Sequence, residues 1–147
     1  QHLPKKAQYF YYEPSASSWD LICWKIYRRF LRQTGIQLGP HSFDYDKVWR
    51  KLLKTMSHHQ EKELWLSGFV NYDDTPRRGK KGSFLKNGNA KKFCSYLSKL
   101  LHIAQQQEKP YVLLVAWNEW SEGAYLEPDT INGYLYLESV RKAIETL

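Results

Sequence analysis

Cysteine is nearly absent from this chain: Cys23 and Cys94 are its only two in 147 residues. They lie far apart and form no C-x-x-C, which excludes both a disulfide framework and a zinc ribbon. Free thiols of a reducing compartment are the expectation. Methionine is scarcer still, with Met56 alone, so Gln1 is not a natural start and a portion of a longer chain is expected. No apolar run reaches the roughly 20 residues that a membrane span needs, and no signal peptide is visible. The five histidines carry no metal spacing; His58-His59 lie just beyond a helix, and H-E-x-x-H does not occur. No serine sits in a G-x-S-x-G elbow, so a hydrolase triad has no support. There is neither a solenoid repeat nor a low-complexity segment.

What the chain has in quantity is aromatic mass and positive charge. Aromatics make up 16% of the residues, including six Trp and eleven Tyr. Most such mass belongs in cores and between helices, and only those at strand ends suit stacking on sugars. The formal net charge is +7, spread over Lys5-Lys6, Arg28-Arg29, Arg77 to Lys81 and Lys91-Lys92. Charge of this sign fits several kinds of anionic partner. No RNP or zinc-finger signature accompanies it, so nucleic acid is not an expected partner. The length suits one domain rather than two.

Along the chain, strands alternate with helices. Residues Gln8 to Glu13 read as a short strand closed by Pro14, which biases Glu13 toward extended backbone. Ser18 caps a helix over Trp19 to Gln33, with Ile22, Ile26 and Phe30 inward and Lys25, Arg28, Arg29 and Arg32 outward. That basic face suits peripheral contact with an anionic membrane, although solvent is the simpler reading. After a turn-rich stretch from Gly35 to Ser42, Asp44-Tyr45-Asp46 opens a helix in which Tyr45, Val48, Trp49, Leu52, Leu53 and Met56 follow a 3.6-residue period. A D-x-D string also holds divalent metal in nucleotide-sugar transferases. At a helix start, however, aspartate serves as a cap and answers the helix dipole, so capping is expected and neither metal nor another cofactor is.

Leu64 to Val70 reads as the second strand, leading into the polar loop Asn71 to Gly82. Asn89 starts a helix to Gln107 with Phe93, Leu97, Leu100, Leu101 and Ala104 as its apolar stripe. Tyr111 to Trp117 is apolar without alternation, the pattern of a parallel strand buried on both faces. Beyond Asn132-Gly133, a last helix turns Tyr134, Leu137, Val140, Ile144 and Leu147 to the core. This order predicts an α/β fold of parallel strands joined by right-handed crossovers. About three strands do not close a TIM-type barrel, which needs eight and typically about 250 residues. A barrel reading makes this chain its last part.

In a parallel sheet the C-terminal strand ends share one rim, where ligands and catalytic groups gather. Here the ends carry Glu13, then Tyr72, Asp73 and Asp74, then Asn118, Glu119, Trp120, Ser121 and Glu122. Glycoside chemistry requires two carboxyl groups flanking an anomeric carbon, and Glu119 with Glu122 supplies such a pair. The alternative is a pair of solvated carboxylates held by Arg77 or Arg78. Asp73 and Asp74, beside Thr75-Pro76, are turn formers or acceptors for sugar hydroxyls. Arg77 to Gly82 suits a phosphate or carboxylate, and equally a solvated basic loop.

Two stretches are specific enough to carry a resemblance. Val70 to Gly79 (VNYDDTPRRG) and Ala116 to Asp129 (AWNEWSEGAYLEPD) resemble the WbsX-type family of bacterial polysaccharide-biosynthesis proteins, often described as glycosyltransferases and related to glycoside hydrolase family 99. Tyr12-Glu13-Pro14, Tyr45-Asp46 to Trp49, and Gly133 to Leu137 match weaker family positions, so the resemblance spans nearly the whole chain. It implies that residues 1–147 form the C-terminal portion of a (β/α)8 barrel, the earlier strands of the cleft lying elsewhere. It also implies a cytoplasmic enzyme of O-antigen or capsule polysaccharide, working by glycosyl transfer or hydrolysis, of which this portion alone is incomplete. In family 99 the N-E-W-x-E-G segment holds both catalytic carboxylates. Carried over, Glu119 assists the sugar 2-hydroxyl in forming an anhydro-sugar intermediate, and Glu122 is the acid/base on the leaving oxygen. The implied substrate-binding positions are Glu13, Tyr72, Asp73, Asp74, Arg77, Arg78, Trp117, Asn118, Trp120, Tyr125 and Glu127. The expected partner is an oligosaccharide or polysaccharide, with a sugar phosphate or lipid-linked sugar as a further candidate. A non-catalytic fragment that binds glycan or sugar phosphate is the alternative.

Overall fold

The computed structural model describes residues 8–9, 39–58 and 64–147, with backbone alone at residues 8, 9 and 64. In chain order the elements are β1 (Gln8–Tyr9), β2 (His41–Asp44), α1 (Tyr45–His58), β3 (Leu64–Phe69), the one-turn α2 (Thr75–Arg78), β4 (Ser83–Lys86) and α3 (Ala90–Gln106). There follow β5 (Val112–Val115), the hairpin strands β6 (Asn118–Glu119) and β7 (Ala124–Tyr125), and α4 (Leu135–Ile144). The helix expected over Trp19 to Gln33, Cys23, Glu13 and the Lys5-Lys6 and Arg28-Arg29 pairs lie outside the described residues.

The mixed α/β reading holds. β1, β3 and β5 form one parallel sheet in that order. Gln8 pairs with Leu64, and Leu66 to Phe69 pair with Val112 to Val115. β3 and β5 are the strands that the apolar runs predict, cut a residue or more shorter at their ends; of the strand expected over Gln8 to Glu13, residues 8–9 are described.

Both long helices begin where the cap chemistry requires. The Lys47 N–H donates to Asp44 Oδ1 at 3.0 Å, satisfying a first-turn donor that has no partner within the helix. The Lys92 N–H does the same to Asn89 Oδ1 at 2.9 Å. From these caps α1 turns Tyr45, Val48, Trp49, Leu52 and Met56 inward, and α3 turns Phe93, Leu97, Leu100 and Ala104. Their apolar stripes meet over β3, where Leu66 and Val70 are buried on either side of Gly68. A Cβ at Gly68 would lie 2.8 Å from Trp49 Cη2 and 2.9 Å from Leu100 Cδ2, so the missing side chain is what admits the indole to the sheet. Trp49 stacks on Phe69 and Tyr96, with ring centroids 4.7 and 5.5 Å apart. The Tyr45 hydroxyl donates to the Val70 carbonyl at 2.8 Å, tying α1 to the end of β3.

Three expectations change. The strand Tyr111 to Trp117 is not buried on both faces: Tyr111, Val115 and Trp117 are exposed, because β5 is the end strand of the described sheet and only one of its faces meets the helices. On α4 the inward residues are Ser139 and Ala143, flanked by Tyr136, Leu137 and Val140, while Tyr134, Ile144 and Leu147 are exposed. The small side chains of Ser139 and Ala143 face α3, where Ser139 Oγ lies 3.0 Å from the Ala90 carbonyl and 2.8 Å from the Leu135 carbonyl of its own helix. Finally, the parallel pair β2–β4, with His41 opposite Ser83 and Asp44 opposite Lys86, adds two strands to the expected three: β2 begins within the turn-rich stretch Gly35 to Ser42, and β4 follows the loop that ends at Gly82.

Asp46 ties α1 to α3, accepting from Lys92 Nζ at 2.6 Å and from the Tyr96 hydroxyl at 2.9 Å. The Lys92 ammonium, and then the Tyr96 hydroxyl, hold its carboxyl below the ordinary value of 3.8. A depressed folded-state value means the unfolded chain binds the proton more readily. The contribution is therefore full above 3.8 and is lost as pH falls from there through the folded-state value. Asp46→Asn is expected to flatten this acid limb of a melting-temperature profile; a variant whose acid limb matched the wild type would count against the link.

Candidate functional site at the strand ends

β3 and β5 leave the sheet side by side, the Val70 N–H donating to the Val115 carbonyl at 3.0 Å. Each is followed by a loop rich in polar groups, and the two loops meet.

The loop after β3 is braced from beneath. Leu85 N–H donates to Tyr72 O at 2.8 Å, and Asp74 N–H to Ser83 O at 3.1 Å, so β4 runs against the loop's first residues. Asp74 is fully buried. Its Oδ1 accepts from Ser83 N–H at 2.5 Å, and its Oδ2 accepts from the Tyr72 hydroxyl and Arg78 Nη1, each at 3.1 Å. A buried carboxylate with protein donors on both oxygens is a brace. Gly82 permits it, since a Cβ there would lie 2.8 Å from Asp74 Oδ1 and from the Thr75 backbone. Asp73 forms a turn: its Oδ1 accepts from Thr75 N–H at 2.9 Å and Thr75 Oγ1 at 2.6 Å. Of these two aspartates, Asp73 forms a turn with its side chain, and Asp74 braces the loop from inside.

The loop after β5 folds back as the β6–β7 hairpin around the 3-10 turn Trp120–Glu122. Leu126 N–H reaches Ala116 O and Trp117 O at 3.0 Å, closing its base. Gly123 has φ +56°, and a Cβ on it would come within 3.3 Å of Asp73. A glycine is needed there for both reasons. The contact brings the loops together: Asp73 N–H donates to Glu122 O at 2.6 Å. Arg77 Nη2 donates to Glu122 Oε1, also at 2.6 Å.

The rim therefore gathers Tyr72, Asp73, Arg77, Asn118, Glu119, Trp120 and Glu122. Glu119 is exposed and accepts from the Ser121 hydroxyl of its own turn. Glu122 is half-buried, its side chain 26% exposed, and paired with Arg77 as the solvated-pair alternative anticipated. Arg77 and Arg78 do not act as one anion fork, because Arg78 turns down to Asp74. Trp120 lies flat on Tyr125, ring centroids 3.9 Å apart at 17°, and its indole N–H donates to Glu127 Oε2 at 2.7 Å. Trp117 and Trp120 remain about half exposed, at 54% and 48%. Burial, and then the Asp129 carboxylate, push the Tyr125 phenol up. Asp129 itself is held below its ordinary range, first by the Asn132 side chain and backbone.

Among the described residues, no group of three or more His, Cys, Asp or Glu is placed to hold a metal. Asp44 and Asp46 are spent on the α1 cap and on Lys92. Nor is any described helix long and apolar enough to cross a membrane. The single described cysteine, Cys94, is a half-buried free thiol.

Both loops fall inside one family match. Residues 7–140 match the family described as glycosyltransferase WbsX. The chain belongs to the WbsX glycosyltransferase family. It is also 33% identical over 101 residues to the uncharacterized protein WxcX of Xanthomonas campestris pv. campestris, in strain B100 and in strain ATCC 33913. Each match covers 65% of this chain and 14% of WxcX, so the chain spans a small part of the relatives it matches. No solved structure matches it.

In this WbsX-family chain, Ser121, Thr75 and Gly123 lie in stretches that sequence reasoning singled out without a holding role, and Ser83 is the holder it passed over. The Asp73–Thr75 spacing is a legible turn signal. Ser83 has none, because its link to Asp74 depends on the β2–β4 pairing.

Proposed function

We propose that the chain is the C-terminal, catalytic-residue-bearing part of a glycan-active (β/α)8 enzyme of bacterial surface polysaccharide, with Glu119 and Glu122 as its reacting carboxyls. The observation that supports this reading is the meeting of the two loops, which grips Glu122 from the neighbouring loop, in the same hairpin as Glu119 and the half-exposed Trp120. A protonated carboxyl can deliver a proton to a departing glycosidic oxygen while a second stabilises or attacks the anomeric carbon. Glu122, held from the neighbouring loop, suits the acid/base role; Glu119, exposed at the hairpin, suits the partner role. The family description favours transfer over hydrolysis, and a cytoplasmic setting fits a sugar phosphate or lipid-linked donor.

The test uses the intact protein with Glu119→Gln and Glu122→Gln, followed by glycan product formation. Each amide is expected to cost at least about a hundredfold in rate while the melting temperature stays near wild type. Wild-type turnover in either variant would remove that residue from the chemistry. A second reading, glycan binding without catalysis, draws on the Trp120–Tyr125 stack alone. Calorimetry would favour it if oligosaccharide binding vanished in Trp120→Ala in a protein that shows no turnover.

A further inference from the structure

We propose that Arg77 is a positioning residue for Glu122, fixing the direction of its carboxyl rather than binding substrate charge. The inference rests on the catalytic reading of Glu122 above.

The ion pair differs from a casual surface contact in what surrounds it. It joins residues 45 apart in sequence and crosses between the loops that follow β3 and β5. Glu122 is gripped twice by the same loop, at its backbone carbonyl by Asp73 N–H and at Oε1 by Arg77. A Cβ on Gly123 would meet Asp73 at 3.3 Å, so the two loops run in close contact beside the grip. Arg77 is itself aimed from below. Its N–H and that of Arg78 donate to the Asp74 carbonyl at 3.2 and 2.9 Å, and the buried Asp74 carboxylate holds Arg78 Nη1. The chain of support runs from buried Asp74 through the α2 turn to Arg77 and on to Glu122.

Among the described residues Glu119 has no such cross-loop holder; the Ser121 hydroxyl that it accepts from belongs to its own turn. The two glutamates are thus unequal. A glutamate has three side-chain torsions, and proton delivery demands the carboxyl within hydrogen-bond reach of one oxygen. A charge-assisted hydrogen bond at 2.6 Å selects one of those orientations. Arg77 acts through Glu122, and its remaining guanidinium N–H groups are not needed for that.

The intact protein is compared as wild type, Arg77→Met, Arg77→Lys and Glu122→Gln, using release of 4-nitrophenol from a panel of 4-nitrophenyl α- and β-glycosides and a crystal structure of each. Arg77→Met is expected to lower kcat by roughly a hundredfold, as misplacement of a reacting group does, with KM unchanged; Arg77→Lys is expected to recover part of it. In the crystals the Glu122 carboxylate should turn away in Arg77→Met while its backbone bond to Asp73 survives. Wild-type kcat in Arg77→Met beside an inactive Glu122→Gln overturns the positioning role and leaves the catalytic reading standing. A raised KM with unchanged kcat overturns it in favour of substrate contact. Full activity of Glu122→Gln refutes the catalytic reading beneath it. If the glycosides are not turned over, the carboxylate direction decides: an unmoved Glu122 in Arg77→Met overturns the proposal. Should Arg77→Met fail to fold, the same comparisons are read from Arg77→Lys and Arg77→Gln.

Discussion

Replacing Trp49 by alanine is expected to lower the free energy of unfolding by about 3–5 kcal/mol, a large share of what a domain of this size possesses. The indole is fully buried and joins α1 to both β3 and α3. It stacks on Phe69 of β3 and on Tyr96 of α3, and Tyr45 and Phe93 lie with ring centroids 6.4 and 6.5 Å from its own. Its outer edge occupies the space left by Gly68. Alanine would leave a cavity that the surrounding rings cannot close, because Phe69 is fixed by the strand ladder and Tyr96 by its bond to Asp46. The loss should appear as a lower guanidinium chloride midpoint with an unchanged slope. Trp117→Ala is the control: that residue is 54% exposed, and its removal should change stability by only about 0.5 kcal/mol. Equal midpoints for the two variants would mean that Trp49 does not centre the core.

How much of this was legible in the chain depends on whether the deciding contact is local. The helices α1 and α3 were readable because their periodicity and their caps lie within a few residues of each other: Asp44 with Lys47, Asn89 with Lys92. The three parallel strands were readable from apolar runs of the right length. The pair β2–β4 was not, since it joins His41–Asp44 to Ser83–Lys86 across some forty residues, and neither segment alternates strongly enough to announce a strand. α4 shows the converse failure. Its apolar spacing is regular, but the face that packs on α3 is centred on the small residues Ser139 and Ala143, which a hydrophobic pattern does not record. At the rim, the sequence placed Glu119, Glu122 and the Asp73–Arg78 loop together because strand ends of a parallel sheet converge. It did not divide their labour. Asp73, Asp74, Arg77 and Arg78 look alike as polar loop residues, and only the fold makes one a turn, one a buried brace and one the partner of Glu122.

That brace is the second site where a single change should have a large effect. Asp74→Ala is expected to cost about 3 kcal/mol, since it strips acceptors from Ser83 N–H and from the Tyr72 hydroxyl in a closed space. Arg78, 57% exposed, regains water and adds little to the cost. Asp74→Asn keeps one oxygen and nearly the same volume, but it turns an amide N–H toward donors. It should therefore lose a smaller part, about 1–2 kcal/mol, whichever oxygen is retained. The consequence reaches beyond stability because the α2 turn hangs on this residue. Asp74→Ala keeps the carbonyl that accepts from the Arg77 and Arg78 N–H groups, but the turn that carries it is untied from Ser83 and Tyr72, and the guanidinium of Arg77 is expected to be less firmly aimed at Glu122. Amide hydrogen exchange separates this local release from global unfolding. In Asp74→Ala the amides of Asp73, Arg78 and Ser83 should lose protection far more than those of β3 residues Leu66 to Phe69. Uniform loss across both sets would make Asp74 an ordinary core contributor. Unequal loss, confined to the loop, would mark the β3 loop as a separately stabilised unit whose office is to hold Glu122 in place.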